Sequence, residues 1–248
     1  KKLIIATGGK SYEVTGSSGD GYSFSKELGL KIVEPRPALT PCYIKDYSYT
    51  TLAGVSFRNA ILELWRDNKK LGTYEGDLLF THKNLSGPLI IDNSRYIKKD
   101  DKLRINFSGE NLEIFEKNLR NTINNNGNKF VKNIFDNPNF SERFIKVILK
   151  ECEISEETKC NSLKKEQIKR LIEALGNHAY EVSKLEGFNI AMVTAGGVAL
   201  EEINKNTMES KKIKDLYIVG ELLDIDGDTG GYNIQGAYST GALAAESI

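Results

Sequence analysis

Leu216-Tyr-Ile-Val-Gly-Glu-Leu-Leu-Asp-Ile-Asp-Gly-Asp-Thr-Gly-Gly-Tyr-Asn-Ile-Gln-Gly-Ala-Tyr-Ser-Thr-Gly241 decides the fold. It reads as a short apolar strand, a carboxylate, a glycine-rich turn and a helix of small residues. Residues 216–219 are apolar throughout, the pattern of a strand buried on both faces. Gly220 lets the chain leave the sheet sharply. Glu221 then stands at the carboxyl end of the strand, where open α/β sheets bind ligands. Thr229-Gly230-Gly231 lets backbone come close to a ligand. The helix predicted from about Asn233 aims unpaired N–H groups and the positive end of its dipole at the same place. Ala237, Gly241, Ala242, Ala244 and Ala245 keep that helix thin enough to lie close to a sheet.

Outward from this stretch, Leu3-Ile-Ile-Ala-Thr-Gly-Gly9 is a second apolar strand ending in Thr7, Gly8 and Gly9. A short helix follows over residues 19–29, with Ser17 or Ser18 as N-cap and Gly29 as its stop. Pro35-Arg-Pro-Ala-Leu-Thr-Pro41 predicts an extended, irregular crossing between domains. Strands are predicted over 55–66, from about Leu71, over 77–82 and over 103–107. Ser86 and Pro88 are placed at the start of a helix with Leu89, Ile90, Asn93 and Ile97 on its inner face. Helical spacing of apolar residues marks 111–124, 141–151 and 162–175, and β character returns at 178–184 and continues through 188–198.

The class is α/β locally and α+β overall. Three parts are expected: residues 1–35 with 205–248, a small barrel-like β domain over 36–110 and 177–204, and a helical subdomain over 111–176. The 248 residues suffice for this. Lys plus Arg and Asp plus Glu each number 34. The zero net charge argues against a broad basic field for nucleic acid. No run of 18 apolar residues provides a membrane span, and no signal peptide is read. Cys42, Cys152 and Cys160 form no C-x-x-C pair, and with two histidines no zinc site is spelled out. Sparse, unpaired thiols fit a reducing cytoplasm. Asp224-Ile-Asp-Gly-Asp228 lacks the sixth-position Gly and twelfth-position Glu of a calcium loop. No metal site is expected.

Four motifs carry a family resemblance. The first is the 216–241 stretch. The second is Ala6-Thr-Gly-Gly9 followed by Gly19-Asp-Gly-Tyr22. The third is Gly76-Asp-Leu-Leu-Phe-Thr-His-Lys-Asn-Leu-Ser-Gly-Pro88, close to G-E-x-L-F-T-H-x-G-L-S-G-P, with Asn84 where Gly is usual. The fourth pairs Val193-Thr-Ala-Gly-Gly-Val198 with Thr207-Met-Glu-Ser-Lys211. Together they resemble the HI0933-like (BaiN-like or YhiN-like) NAD(P)/FAD-dependent oxidoreductases, within the two-dinucleotide-binding-domain flavoproteins. The resemblance implies a Rossmann-like FAD domain with an inserted β domain. It implies that Glu221, after Gly220, holds the ribityl chain of FAD. Thr7, Gly8 and Gly9 would pass the cofactor by backbone. Gly230, Gly231, Tyr232, Asn233, Ile234 and Gln235 would face the flavin edge where charge gathers on reduction. NAD(P)H is the implied electron donor, and the substrate a small organic molecule near Tyr232.

His82, one of two histidines, is the only catalytic candidate. A lone histidine at a strand end is more often a structural residue. Met208 reads as packing and Lys211 as surface or phosphate-facing. No strand with G-x-G-x-x-G appears, so the chain is expected to be a fragment whose missing N-terminal part carries the pyrophosphate site. As such it should be inactive alone and bind FAD poorly. The alternative is a cofactor-free binding or scaffold module that keeps the fold. A third reading, an RNA-modifying flavoprotein related to this superfamily, is disfavoured by the neutral charge and the lack of a basic stripe.

Overall fold

The computed structural model describes residues 1–248. They form two units: residues 1–41, 91–96 and 185–248, and residues 42–90 and 97–184. The division falls at 41/42 and 184/185, not 35/36 and 204/205, and the helical segment shares a unit with the barrel.

In the first unit, β1 (Leu3–Ile5) pairs in parallel with β10 (Leu216–Ile218). All three β10 residues are buried, as continuous apolarity implied. β1 buries Ile5, while Leu3 and Ile4 stay exposed. Met208 packs into the surrounding core with Tyr22, Val198, Leu222 and Ala244. α1 (Asp20–Glu27) is entered through Gly19 in the left-handed region, φ 86°. The N-cap is therefore Gly19, not Ser17 or Ser18, because the turn needs positive φ. A second pair is antiparallel: β2 (Ile32–Ala38) with β9 (Val193–Val198). Pro35 and Pro37 thus lie within a strand instead of breaking it. The ribbon has two strands, so each has an edge that requires no donor, and the register shifts between Val33 and Arg36. Lys211 reaches the carbonyl of Glu201 at 2.9 Å.

The second unit is a closed six-stranded barrel in the order β3-β6-β5-β4-β7-β8. Its strands are β3 (Cys42–Ile44), β4 (Ser56–Arg66), β5 (Lys69–Phe80), β6 (Leu85–Ser86), β7 (Lys102–Asn106) and β8 (His178–Leu185). The two strands expected from Leu71 and over 77–82 are one, β5, running antiparallel to β4 from a turn at Asp67 and Asn68. The helix after Ser86 is only one turn, α2 (Pro88–Ile91), so Asn93 and Ile97 lie beyond it. Asn84, where the resembled motif has Gly, is not in the left-handed region. The left-handed residue of this turn is Gly87, φ 87°, where a Cβ would stand 2.5 Å from the Asp77 carbonyl. α3 (Leu112–Asn125), α4 (Glu142–Glu151) and α5 (Lys165–Gly176) occupy the expected windows. Asn111 and Ser141 cap the first two with side-chain oxygens. Phe144 of α4 meets Phe57 at 4.7 Å and Phe107 at 5.0 Å between ring centroids. All three rings are fully buried, the feature that holds the helices on the barrel.

His178 stacks on Tyr180 at 4.4 Å. Its Nδ1 lies 3.2 Å from the Ala174 carbonyl, and its Nε2 3.1 Å from the Tyr49 hydroxyl. The carbonyl takes a proton from Nδ1, so Nε2 accepts from Tyr49 and the ring is neutral. Burial lowers its pKa, against the opposing pull of Glu151. A depressed histidine pKa means the unfolded chain takes up a proton that the folded chain refuses. Stability is therefore complete above about pH 6.5 and falls as pH drops below it. Urea unfolding between pH 7.5 and 5.5 is expected to show a steeper loss in the wild type than in His178→Gln.

Candidate functional site

The parallel register of β1 and β10 brings their carboxyl ends side by side, with the Val219 N–H on the Ile5 carbonyl at 3.2 Å. Thr7–Gly9 and Gly220–Glu221 therefore leave the sheet together. The Glu221 carboxylate accepts the Thr194 N–H at 2.7 Å and also the Gly9 N–H. Burial pushes its pKa up, those two donors hold it down, and Asp226 adds repulsion. Gly9 has no room for a side chain: a Cβ would lie 2.6 Å from Thr194 Oγ1 and 2.8 Å from Glu221 Cδ. Thr194 is fully buried, and its hydroxyl accepts the N–H groups of Lys10 at 2.8 Å and Ser11 at 3.1 Å. Tyr22 closes the group by donating to the Glu221 carbonyl at 3.3 Å.

Beyond Glu221, Gly230 (φ 110°) and Gly231 (φ 94°) turn the chain into α6 (Tyr232–Ser247). No side chain caps this helix. The N–H groups of Tyr232, Asn233 and Ile234 find no acceptor in the chain; the first helical bond runs from Gln235 to Gly231. The preceding loop is fixed from three sides. The Asn233 amide accepts the Gly227 N–H at 2.8 Å and donates to the Gly227 carbonyl at 2.9 Å. Asp92 accepts the Thr229 N–H at 2.8 Å and its hydroxyl at 3.2 Å. Arg95 holds the Asp226 carboxylate at 3.0 Å and that of Asp228 at 2.9 Å. These acids, rejected above as a calcium loop, serve as partners of Arg95. Between loop and helix lies a cavity of about 200 Å³, lined by Gly220, Glu221, Asp226, Tyr232, Asn233 and Thr240 among others.

The structure thus gathers Thr7–Gly9, Gly220, Glu221, Tyr232 and Asn233, with Gly230 and Gly231 at the helix entry. Ile234 and Gln235 point away from this group: Ile234 is 78% exposed, and Gln235 bonds Ser239 at 3.1 Å. His82 is exposed on a barrel turn in the other unit. Sequence reading missed Thr194, Asp92 and Arg95 as members. The first was visible in Val-Thr-Ala-Gly-Gly-Val as the one polar residue of a buried strand. The other two lie over 130 positions from their partners, with no local signal.

A parallel strand pair carrying a glycine turn and a carboxylate against a helix start, in a chain that also contains a β-barrel unit, defines a Rossmann-like α/β protein. The chain belongs to the family described as HI0933-like protein Rossmann domain, whose profile matches residues 1–247. It is 31% identical over 253 residues to the Ribosomal RNA dihydrouridine synthase of Escherichia coli, and 29% over 251 residues to that of Haemophilus influenzae. It is 30% identical over 260 residues to the 3-dehydro-bile acid delta(4,6)-reductase of Clostridium scindens. These alignments cover 99–100% of this chain but only 60–61% of the relatives. No helix is long and apolar enough to cross a membrane.

Proposed function

We propose that these residues form part of an FAD-dependent reductase that delivers two hydrogens across a carbon–carbon double bond, with NAD(P)H as electron donor. The carrying observation is the convergence of a backbone-held carboxylate, the glycines Gly220 and Gly227, and the first helical residues Tyr232 and Asn233, whose N–H groups are free, on one cavity. That cavity, about 200 Å³, suits a short polyol segment and is below the range of complete small-molecule sites. It fits the ribityl part of the cofactor and leaves the rest to residues outside this chain. When bound, FAD supplies the hydride chemistry. Glu221 would accept hydrogen bonds from ribityl hydroxyls. Gly8 and Gly9 would let the cofactor pass against backbone. The first turn of α6 would face developing negative charge. Names of the relatives support the reaction class: dihydrouridine is uridine with two added hydrogens, and a delta(4,6)-reductase likewise saturates a double bond.

The substrate reading needs adjustment. The expectation of a small molecule and no nucleic acid leaned on zero net charge. That zero is a sum of opposites: the barrel unit has 23 Lys and Arg against 19 Asp and Glu, and the other unit 11 against 15. The barrel unit is thus positive by four, which removes the electrostatic objection to a polyanion there.

Expressed at its natural length, the gene product should retain FAD through purification, and Glu221→Ala should lower its flavin content about tenfold, the worth of one charged hydrogen-bond acceptor. Full flavin retention in Glu221→Ala would remove that residue from the site. Absence of flavin from both proteins, even after incubation with FAD, would favour a cofactor-free binding module.

A further inference from the structure

We infer that one end of the barrel, where β5, β4 and β7 lie side by side, is a docking surface for a single strand of nucleic acid. No basic stripe is spelled out along the chain; strand pairing assembles one from two segments far apart in sequence. In register, Trp65 of β4 stands between Lys70 of β5 and Lys102 of β7. Residues directly opposite in antiparallel strands project to the same face, so these three side chains share the outer surface. The neighbouring Leu64 and Leu103 point inward and are fully buried. Arg104, two residues on from Lys102, holds its guanidinium 5.1 Å from the Trp65 ring centroid. Lys69 opens β5 beside this row, and Lys98 and Lys99 lie in the turn that leads into β7, closed by the Asp101 N–H on the Lys98 carbonyl at 3.2 Å.

Charge decides what this surface fits. Residues 65–70 and 98–104 carry seven Lys and Arg against three Asp, an excess equal to that of the whole barrel unit. Two of those acids are already engaged. Asp101 is buried under a two-pronged contact from Arg66, at 2.7 and 2.8 Å, and Asp100 pairs with Lys45 at 3.0 Å. Glu63 holds Lys70 at 2.9 Å and accepts the Trp65 indole N–H at 2.9 Å, which fixes the ring. Lys69, Lys98, Lys99 and Lys102 are exposed and make no ion pair, against Asp67 as the one unpaired acid beside them. Uncompensated ammonium groups around a fixed indole suit phosphates along a backbone and a base on the aromatic ring. A duplex keeps its bases stacked inside and leaves Trp65 unused. An anionic membrane calls for protruding apolar side chains. Trp65 is half-buried, and Leu71 is the only large apolar residue exposed on these strands. This surface does not rest on the flavin reading.

The test is fluorescence anisotropy of a labelled single-stranded RNA of about ten nucleotides titrated with the 248-residue chain, with tryptophan emission followed in the same samples. Trp65 is the one tryptophan of the chain, so its emission reports on this face alone. Binding should quench it. Four lysines on phosphates imply that log K falls against log salt with a slope of about −3. Lys99→Ala with Lys102→Ala should weaken binding and bring that slope to about half. Lys165→Ala with Lys169→Ala removes the same charge from α5 and should leave affinity and slope unchanged. Amide spectra unchanged away from the substitutions verify that both surface variants fold. The inference is overturned if RNA does not bind at low salt, if it binds without changing Trp65 emission, or if the two double variants weaken it equally. A change of Trp65 emission with phosphatidylglycerol vesicles, and none with RNA, would overturn it in favour of a membrane surface.

Discussion

Arg95→Ala is expected to destabilise the first unit by about 2–3 kcal/mol, below the loss of about 3–5 kcal/mol from stripping one partner from a fully buried ion pair, because this pair is only partly buried. Arg95 is 12% exposed and Asp226 14%. The guanidinium also donates to the Asp226 carbonyl at 3.1 Å, so its loss frees backbone as well as charge. An unpaired Asp226 carboxylate would remain close to Glu221, already repelled by it. Urea denaturation measures the loss. Asp226→Asn in the same background should recover part of it, because the stranded charge, more than the missing contact, sets the cost. An Arg95→Ala midpoint equal to the wild type would show that the loop holds without this pair.

Gly197→Ala should cost about 2–4 kcal/mol, combining backbone strain with overpacking. Gly197 has φ 138°, and a Cβ there would stand 2.4 Å from the Leu222 carbonyl oxygen and 2.8 Å from the Leu223 carbonyl carbon. Both obstacles are backbone, so no rotamer change relieves them. The close approach is also what lets β9 meet the segment after Glu221, through the Val198–Leu223 bridge. Gly21→Ala is the informative contrast. Its Cβ would meet Thr7 Oγ1 at 2.0 Å, the end of a side chain that can rotate. Thermal unfolding of the two variants should place Gly197→Ala clearly lower. Equal midpoints would contradict the account of that contact.

Much of this was legible because it is local. Continuous apolarity marked β10, and 3.6-residue spacing marked α3 to α5. The glycines at 220, 230 and 231 were recognisable as turn residues, and each adopts positive φ. What escaped was set by partners distant in sequence. Pro35 and Pro37 gave a breaker signal, yet a two-stranded ribbon tolerates them because it has free edges. The barrel's closure through β8 and β3 leaves no trace in either strand. Thr194 reaches the Lys10–Ser11 turn across more than 180 positions, and Arg95 reaches Asp228 across 133. Net charge hides a related feature: it averages two units of opposite sign.

The most direct measurement is the visible absorption spectrum of the gene product at natural length, purified without added cofactor, beside the 248-residue chain. The account expects flavin bands in the longer protein, bleached anaerobically by NADH or NADPH, and little or none in the shorter one. A longer protein that is colourless and stays so after incubation with FAD would contradict it.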